Sequence, residues 1–249
     1  MQQQDGERRS GRWRTFVRGL GELLVTGGLV VLLFVVYELF VTDLLNDRRQ
    51  AELDEQVRAE WREPPARRAA AEPAVGDPVA VLYIPRLGAD YRRVVLEGTA
   101  EDQLGQGPGH YVGTAMPGQQ GNVAFAGHRV GKGSPFLDLD RLRPGDPIVV
   151  ETADSWSVYR VLGDRVSGDL TADPSGIPGR TVISPTELDV VSPTPGARAD
   201  APPSGAYLTL TTCHPRYSAR QRLVIHARLD GAGTPKSELP DGPPALHER

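Results

Sequence analysis

The chain holds a single cysteine, Cys213, at the end of the stretch TLTTC. One cysteine cannot form an internal disulfide, and there is no second cysteine to complete a CxxC metal site. The thiol is therefore a buried small hydrophobe, an intermolecular thiol or a nucleophile. Arg222 follows in the next strand-like stretch. A cation beside a thiol favours the thiolate, which is the reactive form.

The alternation of apolar residues decides whether Cys213 and Arg222 can meet. In YLTLTTC and RLVIHARL the apolar side chains recur at every second position, which is typical of strands. If the two strands pair as an antiparallel hairpin with Leu210 opposite Ile225, then Cys213 lies opposite Arg222. A slip of one residue would separate the apolar faces and also the thiol from the guanidinium. The pattern predicts a cysteine at a strand end with a cation beside it.

A cysteine nucleophile also needs an acid or base partner, usually histidine, and the chain has five histidines. His128 ends the strand-like stretch GNVAFAGH behind two small alanines, which leave room for a substrate, so we expect it to be the partner. His110, in a loop rich in Gly and Pro, is the second candidate. We expect the side chain of His214 to point away from the thiol, His226 to lie farther along its strand, and His247 to lie in the C-terminal tail.

Short strands are expected to position these residues. The chain has 22 prolines and 28 glycines, which argues against a helical bundle. From residue 79 onward, runs rich in β-branched and aromatic residues alternate with turn clusters, which predicts an all-β fold, a closed barrel or a sandwich, with short helices between strands. The runs are VAVLYIP, GNVAFAGH, DPIVVET, WSVYRVL, RTVIS, AYLTLTTC and QRLVIHARL. Residues 163–205 form a long segment with room for only two brief strands, and such loops are often functional or disordered.

The N-terminal region is typical of a membrane anchor. Residues 23–41 are apolar apart from Glu38, and at about 1.5 Å per residue they nearly cross a hydrocarbon core of roughly 30 Å. Arginines are more numerous before this run than after it, which places residues 1–22 in the cytoplasm and the rest of the chain outside. A cleaved signal peptide and a buried core helix are the alternatives, but no small-x-small cleavage site follows the run. We predict a retained single-pass signal anchor over 23–42, preceding the all-β domain.

Composition divides the remainder of the chain into three parts. Residues 43–77 mix both charge signs with a Pro/Ala-rich stretch, which predicts a short helix through Trp61 and then a semi-extended linker. Residues 78–230 hold the strands and the candidate site. Residues 231–249 are rich in proline and charge and poor in apolar residues, which predicts a disordered tail. The net charge of −4 is small and gives no indication of a nucleic-acid partner.

These motifs together resemble the sortase family. TLTTC is similar to the TLxTC signature that ends in the sortase nucleophile, NVAFAGHR to the strand that delivers the catalytic histidine, and FLDLDRLRPGD to the FxxLxxLxxGD segment that follows it. Arg222 stands at the distance seen for the active-site arginine of the family. The histidine, cysteine and arginine motifs follow an N-terminal anchor in the same order as in the family. Their sequences are most similar to those of the class E sortases of actinobacteria. Residues 163–205, near the peptide groove of sortases, are longer than the family pattern.

The resemblance implies an eight-stranded β-barrel and a housekeeping-type transpeptidase. Its partners would be secreted proteins with a C-terminal sorting signal of the LAxTG or LPxTG type, the amine acceptor of a peptidoglycan precursor, and the lipid bilayer. Cys213 would attack the carbonyl between Thr and Gly to form a thioester, with His128 as acid and then base. Arg222 would bind the substrate carbonyl or the oxyanion. No metal or organic cofactor is required.

Weaker site candidates and other functions stay open. Thr211, Thr212, Tyr111 and His110 are candidate substrate contacts, although the threonines are ordinary strand formers and a loop-filling role suits the other two equally well. A membrane-tethered cysteine hydrolase would share every catalytic residue. A pilin-polymerising sortase would use a pilin lysine as its acceptor, and a non-enzymatic wall-peptide-binding barrel would not need the cysteine at all.

Overall fold

The computed structural model describes residues 4–37, 42–63 and 73–248 of the chain, which divides into two compact units, residues 1–43 and 44–249. The first unit contains helix α1 (Gln4–Val36), which includes most of the predicted cytoplasmic segment. Within the described ranges, its stretch Phe16–Val36 is the one helix long and apolar enough to cross a membrane, and that stretch is not buried in protein. An exposed apolar helix near the N-terminus is consistent with the predicted anchor, whose residues 38–41 lie outside the described part.

The second unit is built on ten strands, eight of which close into a barrel. The strands are β1 (Pro78–Tyr83), β2 (Arg92–Glu97), β3 (Gly109–His110), β4 (Gly121–Ala126), β5 (Pro147–Glu151), β6 (Ser155–Val161), β7 (Arg180–Ile183), β8 (Ala206–His214), β9 (Gln221–Leu229) and β10 (Thr234–Pro235). The ring runs β6, β5, β1, β2, β3, β4, β8 and β9, and pairing of β9 with β6 closes it. β2 and β3 are parallel, as are β4 and β8. The predicted eight-stranded all-β barrel is confirmed.

The interior of the barrel is filled by apolar side chains from every strand of the ring except β3. Leu208 and Leu210 of β8 lie in the same buried cluster as Leu223 and Ile225 of β9, as the alternation in the sequence predicts. Phe125 of β4 belongs to this cluster and is fully buried. Burial of one such side chain contributes about 1.5–3 kcal/mol, so the apolar faces hold the register of the strands around the cleft described below.

Helix α2 (Thr42–Trp61) packs against the barrel. Val57 is fully buried in a cluster with Val81 of β1 and Val94 of β2. The side-chain amide of Gln50 bonds both backbone groups of Val94, accepting from its N–H at 2.7 Å and donating to its carbonyl at 3.3 Å. The helix expected through Trp61 is therefore part of the folded unit, and the Pro/Ala-rich residues 64–72 of the predicted linker lie outside the described part.

The described C-terminal residues are folded onto the barrel, which corrects the predicted disordered tail. β10 pairs with β6, and the indole Nε1 of Trp156 donates to the carbonyl of Leu239 at 3.0 Å. Lys236 Nζ lies 2.7 Å from Glu151 Oε1 and 4.1 Å from the centre of the Trp61 ring. The tail is held by polar and cation–π contacts and by a few apolar side chains, since Ala245 is buried in a cluster with Val149 and Trp156.

The long segment after β6 is attached to the barrel in two places. β7 pairs with the first half of β9, so that Ile183 lies opposite Arg222, while β6 pairs with the second half of β9. Farther along, Asn122 Nδ2 of β4 donates to the carbonyls of Val190 and Ser192, each at 3.0 Å. The segment is therefore fixed beside the strands that carry the candidate site.

A buried polar network lies under this segment and joins three strands. The hydroxyl of Thr209 in β8 donates to Asn122 Oδ1 at 2.8 Å, and its oxygen lies 2.9 Å from Nδ1 of His226 in β9. Because the hydroxyl proton points to Asn122, His226 donates from Nδ1 to Thr209. His226 is 2% exposed, and burial lowers its pKa to about 4. The imidazole is therefore neutral at physiological pH.

Candidate active site

Cys213, His128 and Arg222 line one cleft, next to the ends of the parallel strands β4 and β8. The cleft has a volume of about 260 Å³, and its other lining residues are Thr99, Leu104, Tyr111, Ala126, Gly127, Thr211 and Thr212. Clefts of about 250 and 310 Å³ lie elsewhere on the folded unit, but neither is lined by cysteine or histidine. No group of three or more His, Cys, Asp or Glu side chains in the described ranges is placed to hold a metal ion.

The thiol and the guanidinium come from neighbouring strands. Cys213 is a free, half-buried cysteine near the end of β8, directly opposite Arg222 of β9. Leu210 lies opposite Ile225, so the register predicted from the apolar alternation is confirmed. Nη1 of Arg222 donates to the backbone carbonyl of Ala219, in the preceding turn, at 3.0 Å and to that of Gln221, the first residue of β9, at 3.1 Å. These bonds orient the guanidinium and leave Nε and Nη2 to donate to a substrate oxygen.

His128 follows β4 by two residues, after a glycine that passes close to an aromatic ring. A Cβ on Gly127 would lie 2.6 Å from the ring of Phe136, so a larger residue cannot take this position without displacing the ring. The amide of Phe136 donates to the carbonyl of His128 at 3.1 Å and fixes the backbone there. The histidine side chain is 25% exposed, and Nε2 has no hydrogen-bond partner among the residues that the structure describes.

Three effects act on the pKa of His128. Burial lowers it, the carboxylate of Glu101 raises it, and the ammonium of Lys132 lowers it, with a net value below the usual 6.5. Glu101 Oε2 lies 3.7 Å from Nε2 of the histidine, and Glu101 Oε1 lies 3.4 Å from Lys132 Nζ. The imidazole is mostly neutral at neutral pH, so it is able to accept a proton from a thiol or an amine.

The two threonines before Cys213 form hydrogen bonds that connect parts of the cleft wall. The hydroxyls of Thr211 and Tyr111 are hydrogen-bonded at 2.9 Å, and the hydroxyl of Thr212 donates to the carbonyl of Gly127 at 2.7 Å. The second bond ties the strand of the cysteine to the residue that precedes the candidate histidine. The structure thus places Tyr111, Thr211 and Thr212 in the cleft, and two of these side chains are already paired with each other.

The structure does not bring His110 into the cleft. Its side chain is 2% exposed, with Nδ1 2.7 Å from Glu97 Oε2 and Nε2 2.8 Å from Thr114 Oγ1. These contacts favour the loop-filling role over the substrate contact. His214 is also occupied, since its Nδ1 lies 3.0 Å from Nη1 of Arg129.

Sequence reasoning misses two charged residues beside the cleft. Arg129 is 3% exposed, and its Nη1 lies 3.5 Å from the carbonyl of Cys213 while its Nη2 lies 3.2 Å from Asp140 Oδ2. The signal for it is in the stretch NVAFAGHR, where it directly follows the candidate histidine. Glu101 has no such signal, because it reaches the histidine from a separate helix, α3 (Glu101–Leu104).

Comparisons with known proteins cover the barrel and the residues of this cleft. A family model described as Sortase domain matches residues 82–230. Sortase SrtE1 and Sortase SrtE2 of Streptomyces coelicolor are each 33% identical to the chain. The first match covers 85% of the chain and 56% of that relative, so the chain spans little more than half its length; the second covers 94% and 92%. A solved sortase E from Streptomyces avermitilis is 38% identical, with a TM-score of 0.55, and the match covers 70% of this chain and 99% of that one.

Proposed function

The chain belongs to the sortase family of cysteine transpeptidases, and we propose that it cleaves a sorting signal of the LAxTG or LPxTG type between Thr and Gly and transfers the protein to an amine of a cell-wall precursor. The observation that carries this proposal is the single cleft lined by Cys213, His128 and Arg222. A nucleophile, a proton carrier and a cation that meet at one site are the groups that acyl transfer needs.

The first half of the reaction forms a thioester on Cys213. His128 takes the thiol proton, and Sγ attacks the carbonyl carbon of the threonine in the signal. The C–S bond forms, the Thr–Gly C–N bond breaks, and the imidazolium gives its proton to the departing amine. The lowered pKa of His128 supports this role, because a neutral imidazole is present at neutral pH to accept the first proton.

The second half returns the enzyme to its starting state. An acceptor amine attacks the thioester carbon and gives a proton to His128, the new C–N bond forms and the C–S bond breaks, and the imidazolium returns that proton to the departing thiolate of Cys213. Arg222 donates from Nε or Nη2 to the oxyanion of both tetrahedral intermediates, since its Nη1 is held by backbone carbonyls. Loss of one such donor typically costs about 10²-fold or more in rate.

The N-terminal helix supports a membrane-anchored form of the enzyme. The apolar stretch Phe16–Val36 is long enough to span a bilayer, and the excess of arginines before it favours a cytoplasmic N-terminus. The barrel then lies outside the cell. Secreted proteins with a sorting signal and wall precursors with a free amine are both presented at that surface.

The full-length enzyme in detergent micelles, incubated with LAxTG and LPxTG peptides and a primary amine, tests the proposal. We expect a thioester on Cys213 by intact-protein mass spectrometry, followed by an amide product. Cys213→Ala is expected to give no adduct, and Arg222→Ala to form it about 10²-fold more slowly. The control Arg220→Ala removes an exposed arginine of the same connection and is expected to react like the wild type. Cleavage without transfer would identify a hydrolase, and no adduct with either peptide would refute the proposal.

A further inference from the structure

A carboxylate lies next to the ring of His128, which is the proton carrier of the proposed reaction. Glu101 is the first residue of α3, and the loop segment around this helix also supplies Thr99 and Leu104 to the cleft wall. Glu101 Oε2 lies 3.7 Å from Nε2 of His128, and its side chain is 69% exposed. An amine that approaches the His128 ring from the side of α3 therefore passes within a few ångströms of the carboxylate.

The geometry does not fit a carboxylate that orients the histidine. Such a partner is hydrogen-bonded to the ring and shielded from water, whereas 3.7 Å is beyond hydrogen-bond distance and Nε2 of His128 has no partner among the described residues. The close partner of Glu101 is a cation, because Lys132 Nζ lies 3.4 Å from Oε1. Lys132 is itself 53% exposed, so this ion pair is weak and open to exchange with another ammonium group.

We infer that Glu101 is the docking group for the acceptor amine in the second half of the reaction, with Lys132 as its counter-ion when no acceptor is bound; this inference rests on the proposed transpeptidation. The acceptor arrives as an ammonium ion and replaces Lys132 at the carboxylate. It then loses one proton to water, and the free amine forms the C–N bond to the thioester carbon. The C–S bond to Cys213 breaks, and His128 takes the second amine proton.

Both members of the ion pair lie on backbone that α2 supports. Asn46 Nδ2 donates to the carbonyl of Gly105, directly after α3, at 3.0 Å. The same side chain packs on Gly133, where a Cβ would overlap Asn46, next to Lys132. Lys132 has a φ of 54° and Gly133 a φ of 76°, so the chain turns sharply there and brings the ammonium back toward α3. The docking site is therefore held in place before an acceptor binds, which lowers the entropy cost of binding.

Competition between a charged and an uncharged nucleophile tests the inference on full-length enzyme in micelles. Glycinamide, studied at slightly acidic pH where it is mostly an ammonium ion, and hydroxylamine, which is mostly neutral there, attack the same acyl-enzyme in one mixture. The ratio of the two products cancels any change in acylation or in the amount of folded enzyme. Glu101→Gln is expected to lower the glycinamide to hydroxylamine ratio about two- to fivefold, the range for one exposed ion pair. Lys132→Gln is expected to raise the ratio, because it removes the competing cation.

The control Asp102→Asn removes the neighbouring exposed carboxylate of α3 and is expected to keep the wild-type ratio. An unchanged ratio in Glu101→Gln overturns the inference, as does an equal fall in Asp102→Asn, which would show only a general charge effect. Wild-type enzyme that uses hydroxylamine but not glycinamide also overturns it and leaves the transpeptidation intact. Absence of any acyl-enzyme refutes instead the proposed function.

Discussion

We expect acid to destabilise the barrel through His226, the buried histidine of β9. Burial lowers its pKa from 6.5 to about 4. When the pH falls below 6.5, the unfolded chain therefore takes up a proton on this ring before the folded barrel does. The unfolded state binds more protons throughout the window from pH 6.5 down to about 4, so the free energy of unfolding falls across it. The gap between the two pKa values corresponds to about 3 kcal/mol, which is a large fraction of the stability of a domain.

Urea unfolding of the full-length protein in micelles, followed by tryptophan fluorescence near pH 7 and near pH 4.5, measures this loss. His226→Asn keeps an N–H donor toward Thr209 but cannot be charged, so it is expected to lose about 2.5 kcal/mol less than the wild type between the two pH values. His247→Asn, at an exposed histidine of the tail, is the control and is expected to lose as much as the wild type. Equal losses in the wild type and in His226→Asn would refute the reasoning, because the buried ring would then have no part in the acid sensitivity.

Three other predictions concern the supports of the cleft. Gln50→Ala leaves buried backbone groups of β2 without partners and is expected to lower the free energy of unfolding by about 3 kcal/mol in the same urea assay. The control Glu55→Ala, on the exposed side of the same helix, is expected to change it by less than about 0.5 kcal/mol. Gly127→Ala places a methyl group against an aromatic ring and is expected to slow thioester formation at least about tenfold by mass spectrometry; a wild-type rate would show that this turn does not position His128. Lys132→Gln is expected to raise the pKa of His128 in an NMR titration of the imidazole, and a lower value would contradict the electrostatic account.

The strands that the sequence predicts are those whose composition suits an interior. All seven apolar runs form strands, and all but RTVIS place apolar side chains in the barrel core. β2 and β3 were not among them. β2 begins with two arginines, and β3 has two residues, one of them a glycine, so their pairing comes from neighbouring strands and not from their own composition. The burial of Gln50 is likewise invisible to hydropathy, since it depends on bonds from a side chain to the backbone of a distant strand.

The candidate site shows the same division between local pattern and tertiary contact. The placement of Cys213 opposite Arg222 follows from the apolar residues at every second position of β8 and β9 and from the pairing of these two strands as a hairpin. The approach of His128 depends on parallel pairing of β4 with β8, which are far apart in the chain, and was inferred only from small neighbours and from family resemblance. The choice between His128 and His110 is explained by Glu97, which binds the second histidine in the interior. No pattern in the sequence links Glu97 to that histidine.

Two strands, β6 and β7, pair with the same edge of β9, and each pairs with a different half of it. The half that closes the ring lies against β6, while the half with the guanidinium lies against β7, which belongs to the long segment. A rearrangement that draws β7 away would leave the ring shut and would leave Arg222 paired with β8 alone. Changes in length before β7 act on the strand beside Arg222, whereas Val190 and Ser192 after it are bonded to Asn122 of β4. The position of the Arg222 backbone therefore depends in part on the long segment, since β7 is one of the two strands that pair with it.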